Sequence, residues 1–185
     1  MVQTPSKKLT LEEFLELPET KPGSEYIDGR TIQKPMPKTR HSRLQSKLVT
    51  TVNEATEGAR IAYAFPELRC TFGGRSLIPD IAILRWEHIK FDENDELVDD
   101  VLLAPNWTIE ILSPEQSSNR VTGNILHCLK YGCQLGWLLD PDDRSVIVFQ
   151  PNQQPQLFYN EDYLIMLPEI ELNLSAKQIF DWLKM

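Results

Sequence analysis

The sequence predicts an α/β fold, a mixed central β-sheet flanked by helices, with a β-hairpin near the N-terminus. Three observations predict it. Two apolar runs in mid-chain read as buried strands: Pro79-Asp80 opens Ile81, Ala82, Ile83 and Leu84, and Trp107 to Ser113 forms the second. Leu44, Leu48, Val52 and Ala55 recur at helical spacing ahead of them. Behind them comes strand, turn, helix and strand, the succession of a sheet that carries covering helices.

Thr10 and Glu13 match a capping box in front of Phe14 and Leu15, and Pro18 ends the segment, so residues 10–17 predict a short amphipathic helix. Glu25-Tyr26-Ile27, Asp28-Gly29 and Arg30-Thr31-Ile32 spell a hairpin, because Asp-Gly accepts the positive φ angles of a tight turn. Pro35 and Pro37 break the second strand, and a helix runs from His41 to about Glu57. Residues 60–65, 68–72 and 78–84 read as successive strands punctuated by Gly73-Gly74. Residues 92–100 are acidic but lack the glycine and terminal glutamate of a calcium loop, so they read as an exposed loop.

In the run from Trp107, alternation puts Ile109, Ile111 and Ser113 on one face and Thr108, Glu110 and Leu112 on the other. A carboxylate thus interrupts an apolar surface. After Ser113-Pro114 and the polar stretch Glu115 to Asn119, a helix spans about Val121 to Tyr131 and closes at Gly132. Residues 134–139 and 145–149 predict neighbouring strands across a turn at Asp140 to Asp143, residues 157–159 an edge strand, and Ser175 the cap of a final helix.

At 185 residues with 41% hydrophobic content the chain suits one domain spanning 1–185. Its 19 Lys and Arg against 27 Asp and Glu leave a net charge of −8, which argues against indiscriminate binding of nucleic acid through net charge. Cys70, Cys128 and Cys133 are odd in number and lack CxxC spacing, which indicates neither a disulfide framework nor a structural zinc site. Residues 1–30 carry no apolar leader segment, and no apolar run approaches the roughly 18 residues of a spanning helix, so the expectation is a cytoplasmic protein with no membrane partner.

Two features point to chemistry. Asp80 and Glu110 are carboxylates on strands that could be neighbours, and burying an unpaired carboxylate costs several kcal/mol, so they suggest a shared cation or a catalytic pair; the alternative is an Asp at a strand start and a salt-bridged surface Glu. Between Asp28 and Glu54 there is no acidic residue, while Arg30, Lys34, Lys38, Arg40, Arg43 and Lys47 are basic. That run, with His41 inside it, predicts a patch drawn to a phosphate backbone, with Arg40, His41, Arg43 and Lys47 as contacts, against the simpler reading of a solvated helix face.

The blocks Glu25-Tyr-Ile-Asp-Gly29, His41, Pro79-Asp80, Glu110-Ile-Leu-Ser-Pro114 and Gly136-Trp137-Leu-Leu-Asp-Pro141 resemble the Uma-type "putative restriction endonuclease" family, within the PD-(D/E)XK superfamily of restriction endonuclease-like nucleases. The resemblance runs from about residue 10 to about 183. It implies a Mg²⁺-dependent endonuclease, with Mn²⁺ as a substitute, that hydrolyses phosphodiester bonds of DNA, in which Asp80 and Glu110 hold the metal and Glu25 is an additional acid. It also implies a lysine two residues after the second carboxylate or on the following helix, but those positions hold Leu112 and Asn124. Asn124 could orient a water, and Arg120, one turn earlier, could supply charge without acting as a base. Two further expectations stand beside the nuclease: a catalytically impaired nucleic-acid-binding relative, and a dimeric interaction module. Cutting both strands of a duplex is simplest for a homodimer.

Overall fold

A computed structural model describes residues 8–114 and 116–185. Glu115, at the start of the polar stretch read before the third helix, lies outside the described residues. The chain begins with helix α1 (Leu11–Leu15), started by the capping box of Thr10 and Glu13. Strands β1 (Ser24–Ile27) and β2 (Arg30–Gln33) form the hairpin, turning at Asp28 and Gly29, both with positive φ. Helix α2 (Thr39–Thr56) follows, burying His41, Leu44, Leu48 and Val52 along one stripe.

Next come β3 (Ala62–Pro66), β4 (Cys70–Phe72), β5 (Arg75–Leu77), β6 (Ile81–Arg85) and β7 (Trp107–Ile111). The strand expected over 78–84 thus begins only at Ile81, and a further strand, not expected, precedes it. Residues 75–77 form a hairpin with β4 across Gly73-Gly74, and Ile78, Pro79 and Asp80 are an irregular bridge into β6. A proline has no N–H for a ladder bond, so the strand restarts after it. Helix α3 (Ser118–Lys130), strands β8 (Leu135–Asp140), β9 (Ser145–Phe149) and β10 (Gln156–Phe158), and helix α4 (Ala176–Asp181) complete the chain.

The described residues form two sheets. One is a four-stranded antiparallel sheet in the order β2-β1-β5-β4; the other is six-stranded and mixed, in the order β10-β9-β8-β7-β6-β3. Only β7 and β8 pair in parallel there, and α3 supplies the crossover that a parallel connection requires. On one face of the large sheet, Trp107, Ile109, Ile111, Trp137 and Leu139 join Leu44, Leu48 and Val52 of α2 and Ile179 and Phe180 of α4 in the main core. Trp107 and Trp137 meet edge to face at 4.6 Å. The other face is covered by α3 through Val121 and Ile125 against Leu138 and Phe149. Both faces of β7 are therefore buried, and Glu110 lies beneath α3 and the hairpin sheet instead of facing solvent.

Candidate functional site

Antiparallel register brings the two acids together. Ile81 pairs with Ile109 between β6 and β7, so the next step along each strand sets Asp80 opposite Glu110. The Ile111 N–H donates to Asp80 Oδ2 at 2.8 Å, clamping the carboxylate to the end of β7. The Asp80 carbonyl is fixed as well, by Gln45 Nε2 of α2 at 2.8 Å and the Glu67 N–H at 3.1 Å.

The remaining partners of Asp80 come from the stretch read as a phosphate-facing patch. Lys34 Nζ donates to Asp80 Oδ1 and to the Ile78 carbonyl, both at 2.6 Å. His41 Nε2 stands 3.0 Å from Asp80 Oδ2, and its Nδ1 is buried without a partner among the described residues. Burial pushes the Asp80 carboxyl up, but the Lys34 charge and the His41 hydrogen bond outweigh it and hold the group far below the usual carboxylate range. Burial pulls Lys34 down, and the combined pull of Asp80, Glu110 and Glu25 more than reverses it, so the lysine stays protonated.

Glu25 enters from β1. Its Oε1 accepts the Ile78 N–H at 2.9 Å and its Oε2 accepts Asn124 Nδ2 at 3.2 Å. Burial raises its pKa, against the opposing charge of Lys34. Glu110 is raised well above the ordinary value, first by burial and then by the charge of Asp80. Among the described residues no cationic side chain is bonded to it.

The structure places the other candidate residues in different settings. The basic stretch is not one solvated face: Lys34 and His41 turn inward to Asp80, and Arg40 pairs with Asp142 at 2.7 Å and with the Pro141 carbonyl. Arg43 Nε donates to the Trp182 carbonyl at 2.6 Å, while Lys47 is exposed. Inward-facing acids compete for these cations, which a one-dimensional charge count cannot register. Arg120 is exposed at the start of α3 and makes no ion pair with either acid. Asn124 reaches the site, but its amide is spent on Glu25.

Lys34 was legible only as part of the basic run, although a signal for it was present. With Asp28-Gly29 as a two-residue turn, Glu25 falls opposite Ile32, and the ladder continues with the Lys34 N–H on the Gly23 carbonyl at 3.0 Å. Residues two apart share a face, so Glu25, Ile32 and Lys34 lie on the same side of the hairpin.

A divalent ion fits the chemistry of these donors in part. Asp80 and Glu110 offer hard oxygens, and Mg²⁺ commonly takes one or two carboxylates and completes its shell with water. Glu110 is a buried acid to which no cationic side chain is bonded among the described residues, though the Lys34 charge acts on it, while both oxygens of Asp80 already accept hydrogen bonds. Among the described residues no three His, Cys, Asp or Glu side chains form a ready-made metal cluster.

The sheet order and the helices on both faces make a mixed α/β fold of the restriction endonuclease-like type. The sequence model of the Uma2 family, described as "Putative restriction endonuclease", matches residues 11–177, and the chain belongs to that family. It is also similar to a crystal structure from Anabaena variabilis described as "a putative nuclease belonging to DUF820", with 53% identity, a TM-score of 0.91, and coverage of 94% of this chain and 98% of that one. No curated protein matches the chain. Among the described residues no helix is long and apolar enough to cross a membrane.

Proposed function

We propose that the protein is a divalent-cation-dependent endonuclease that hydrolyses phosphodiester bonds of DNA. The observation that carries this is the opposition of Asp80 and Glu110 across the β6–β7 register, with Glu110 buried and, among the described residues, no cationic side chain bonded to it. Asp80 and Glu110 would hold Mg²⁺ or Mn²⁺, which when bound supplies Lewis-acid polarisation of the phosphoryl oxygen and a more acidic water. The chain's own residues do the rest. The Ile111 N–H, His41 and Gln45 fix Asp80, so its carboxylate costs little reorganisation when a phosphate arrives. Glu25, held by Ile78 and Asn124, adds negative charge behind the pair and strengthens its hold on a cation. In hydrolysis the oxygen of water bonds to phosphorus, the bond to the leaving sugar oxygen breaks, and a proton passes to that oxygen.

The test is cleavage of supercoiled plasmid by purified protein with Mg²⁺ or Mn²⁺, compared with Asp80→Ala and Glu110→Ala. Loss of rate by about 100-fold or more in both variants is expected. Equal cutting by wild type and Asp80→Ala, or no cutting by wild type with either metal, overturns it. A second reading, a catalytically impaired DNA-binding relative, is favoured by Leu112 and by the engagement of Asn124 with Glu25. It predicts salt-dependent binding without turnover. Cutting both strands at one place would call for a twofold pair of chains, which light scattering would detect.

A further inference from the structure

We infer that Lys34 supplies the cationic side chain of the hydrolytic site, a post the chain fills neither on β7 nor on α3. The inference rests on the nuclease reading above and names the residue that serves it. Position 112 is a leucine and Asn124 spends its amide on Glu25, so neither offers positive charge. The other basic groups of α3 do not reach the acids: Arg120 is exposed, and the Lys130 ammonium lies over the Tyr131 ring at 5.6 Å from its centroid. Arg40, on α2, is tied to Asp142.

Lys34 is built into its place. Its backbone N–H extends the β1–β2 ladder to Gly23, and Pro35 and Pro37 stiffen the chain beyond it. Its ammonium is bonded at once to Asp80 Oδ1 and to the Ile78 carbonyl, with the side chain 11% exposed. An ammonium has three N–H donors, and the third has no partner among the described residues. Lys34 also lines a groove of about 600 Å³ together with Gly23, Met36, Glu67 and Ile78. Positive charge is therefore fixed on one oxygen of Asp80, borders an open groove, and keeps a donor for an anionic oxygen of the substrate. A lysine serving only to neutralise Asp80 would need neither the groove nor the spare donor.

The experiment compares wild type, Lys34→Met, Lys34→Arg and the double variant Lys34→Met with Asn124→Lys, which returns an ammonium to the site from α3. Single-turnover plasmid cleavage is measured at saturating Mn²⁺, Mn²⁺ affinity by electron paramagnetic resonance, and folding by circular dichroism. The expected result is a split: Lys34→Met cuts about 100-fold more slowly or worse, yet binds Mn²⁺ as tightly as wild type or more tightly, because a competing cation has left the carboxylates. Lys34→Arg falls between the two, and the double variant recovers about tenfold or more of the loss. If Lys34→Met does not fold, the double variant, whose charge balance is restored, decides the matter by cutting or failing to cut. Cutting by folded Lys34→Met at the wild-type rate, or loss of Mn²⁺ affinity and cleavage together with no recovery in the double variant, overturns the inference while leaving the nuclease reading intact. A wild type that cuts with no metal sinks both.

Discussion

Asn124 of α3 donates from Nδ2 to Oε2 of Glu25, 3.2 Å away, joining a helix that covers the large sheet to the first strand of the small one. Both residues are buried, so the bond is not replaced by water when one side is removed. Asn124→Ala leaves a raised but ionisable acid with only the Ile78 N–H. A loss of about 1–3 kcal/mol is expected, from the cost of an unsatisfied buried acceptor. At roughly 2–4 °C per kcal/mol for a chain of this size, calorimetry should show a clearly lowered Tm. An unchanged Tm would mean that Glu25 finds another donor.

Glu110 sets a pH dependence. An unfolded glutamate titrates near about 4.3, whereas folded Glu110 holds its proton to a higher pH because of burial and the Asp80 charge. Between those two values the folded state binds more protons than the unfolded one, so this group makes stability fall as pH rises. Asp80 has the opposite sign: its depressed pKa gives stability that is present above the unfolded value and lost as pH falls through the folded one. Glu110→Gln keeps the shape of the protonated acid and removes the ionisation. Its stability should exceed that of wild type by roughly 1 kcal/mol or more at pH 8, seen as a Tm higher by about 2–4 °C, and converge with it near pH 4.5. Mn²⁺ should raise the Tm of wild type at pH 8 and not that of the variant. A difference in Tm that does not vary with pH would show that Glu110 titrates alike in the folded and the unfolded chain.

The acids could be found in the sequence because each sits where a local rule is broken: Asp80 after the proline that delays β6, Glu110 as a charge inside an apolar strand. Their opposition follows from strand order, which the sequence only suggested. Lys34 was hidden for a different reason. Its partner lies 46 residues away, and the contact depends on β5, which pairs Ser76 with Tyr26 and so carries the hairpin over the bridge at 78–80. Without β5 the hairpin has no place on the sheet, and its lysine reads as one member of a basic patch facing a phosphate backbone. The same gap explains His41, whose burial depends on the α2 stripe facing the β6–β7 edge and not on any feature of its own neighbourhood.

The cysteines make a separate prediction. All three are free and buried. Burial, with a smaller push from Cys133, raises the Cys70 thiol to about 12, and burial carries Cys133 to about 12 against three backbone hydrogen bonds. Cys128 is raised well above its ordinary value, again chiefly by burial. The thiolate is the reactive form, so native protein should react with a disulfide reagent about 100-fold more slowly than protein in guanidinium, where all three should be titrated. Rapid labelling of one thiol in native protein would show that α3 or the β4–β5 hairpin opens.

Gly136 controls how closely α3 approaches the sheet. A Cβ at this position of β8 would stand 2.4 Å from Cγ2 of Ile125, with the Thr108 and Phe149 side chains next at 3.6 Å. That is inside van der Waals contact, and Ile125 is fully buried, so it has no free rotamer to retreat into. Gly136→Ala must lift the helix, and the residue beside Ile125 is Asn124, whose bond to Glu25 is already long. An overpacking cost of about 1–3 kcal/mol is expected. Ile125→Ala removes the clashing methyl at the expense of a cavity, so the two changes should be coupled: the double variant should be more stable than the sum of the single losses by about 1 kcal/mol or more. Additive losses in urea unfolding would place the strain somewhere other than the contact between Gly136 and Ile125.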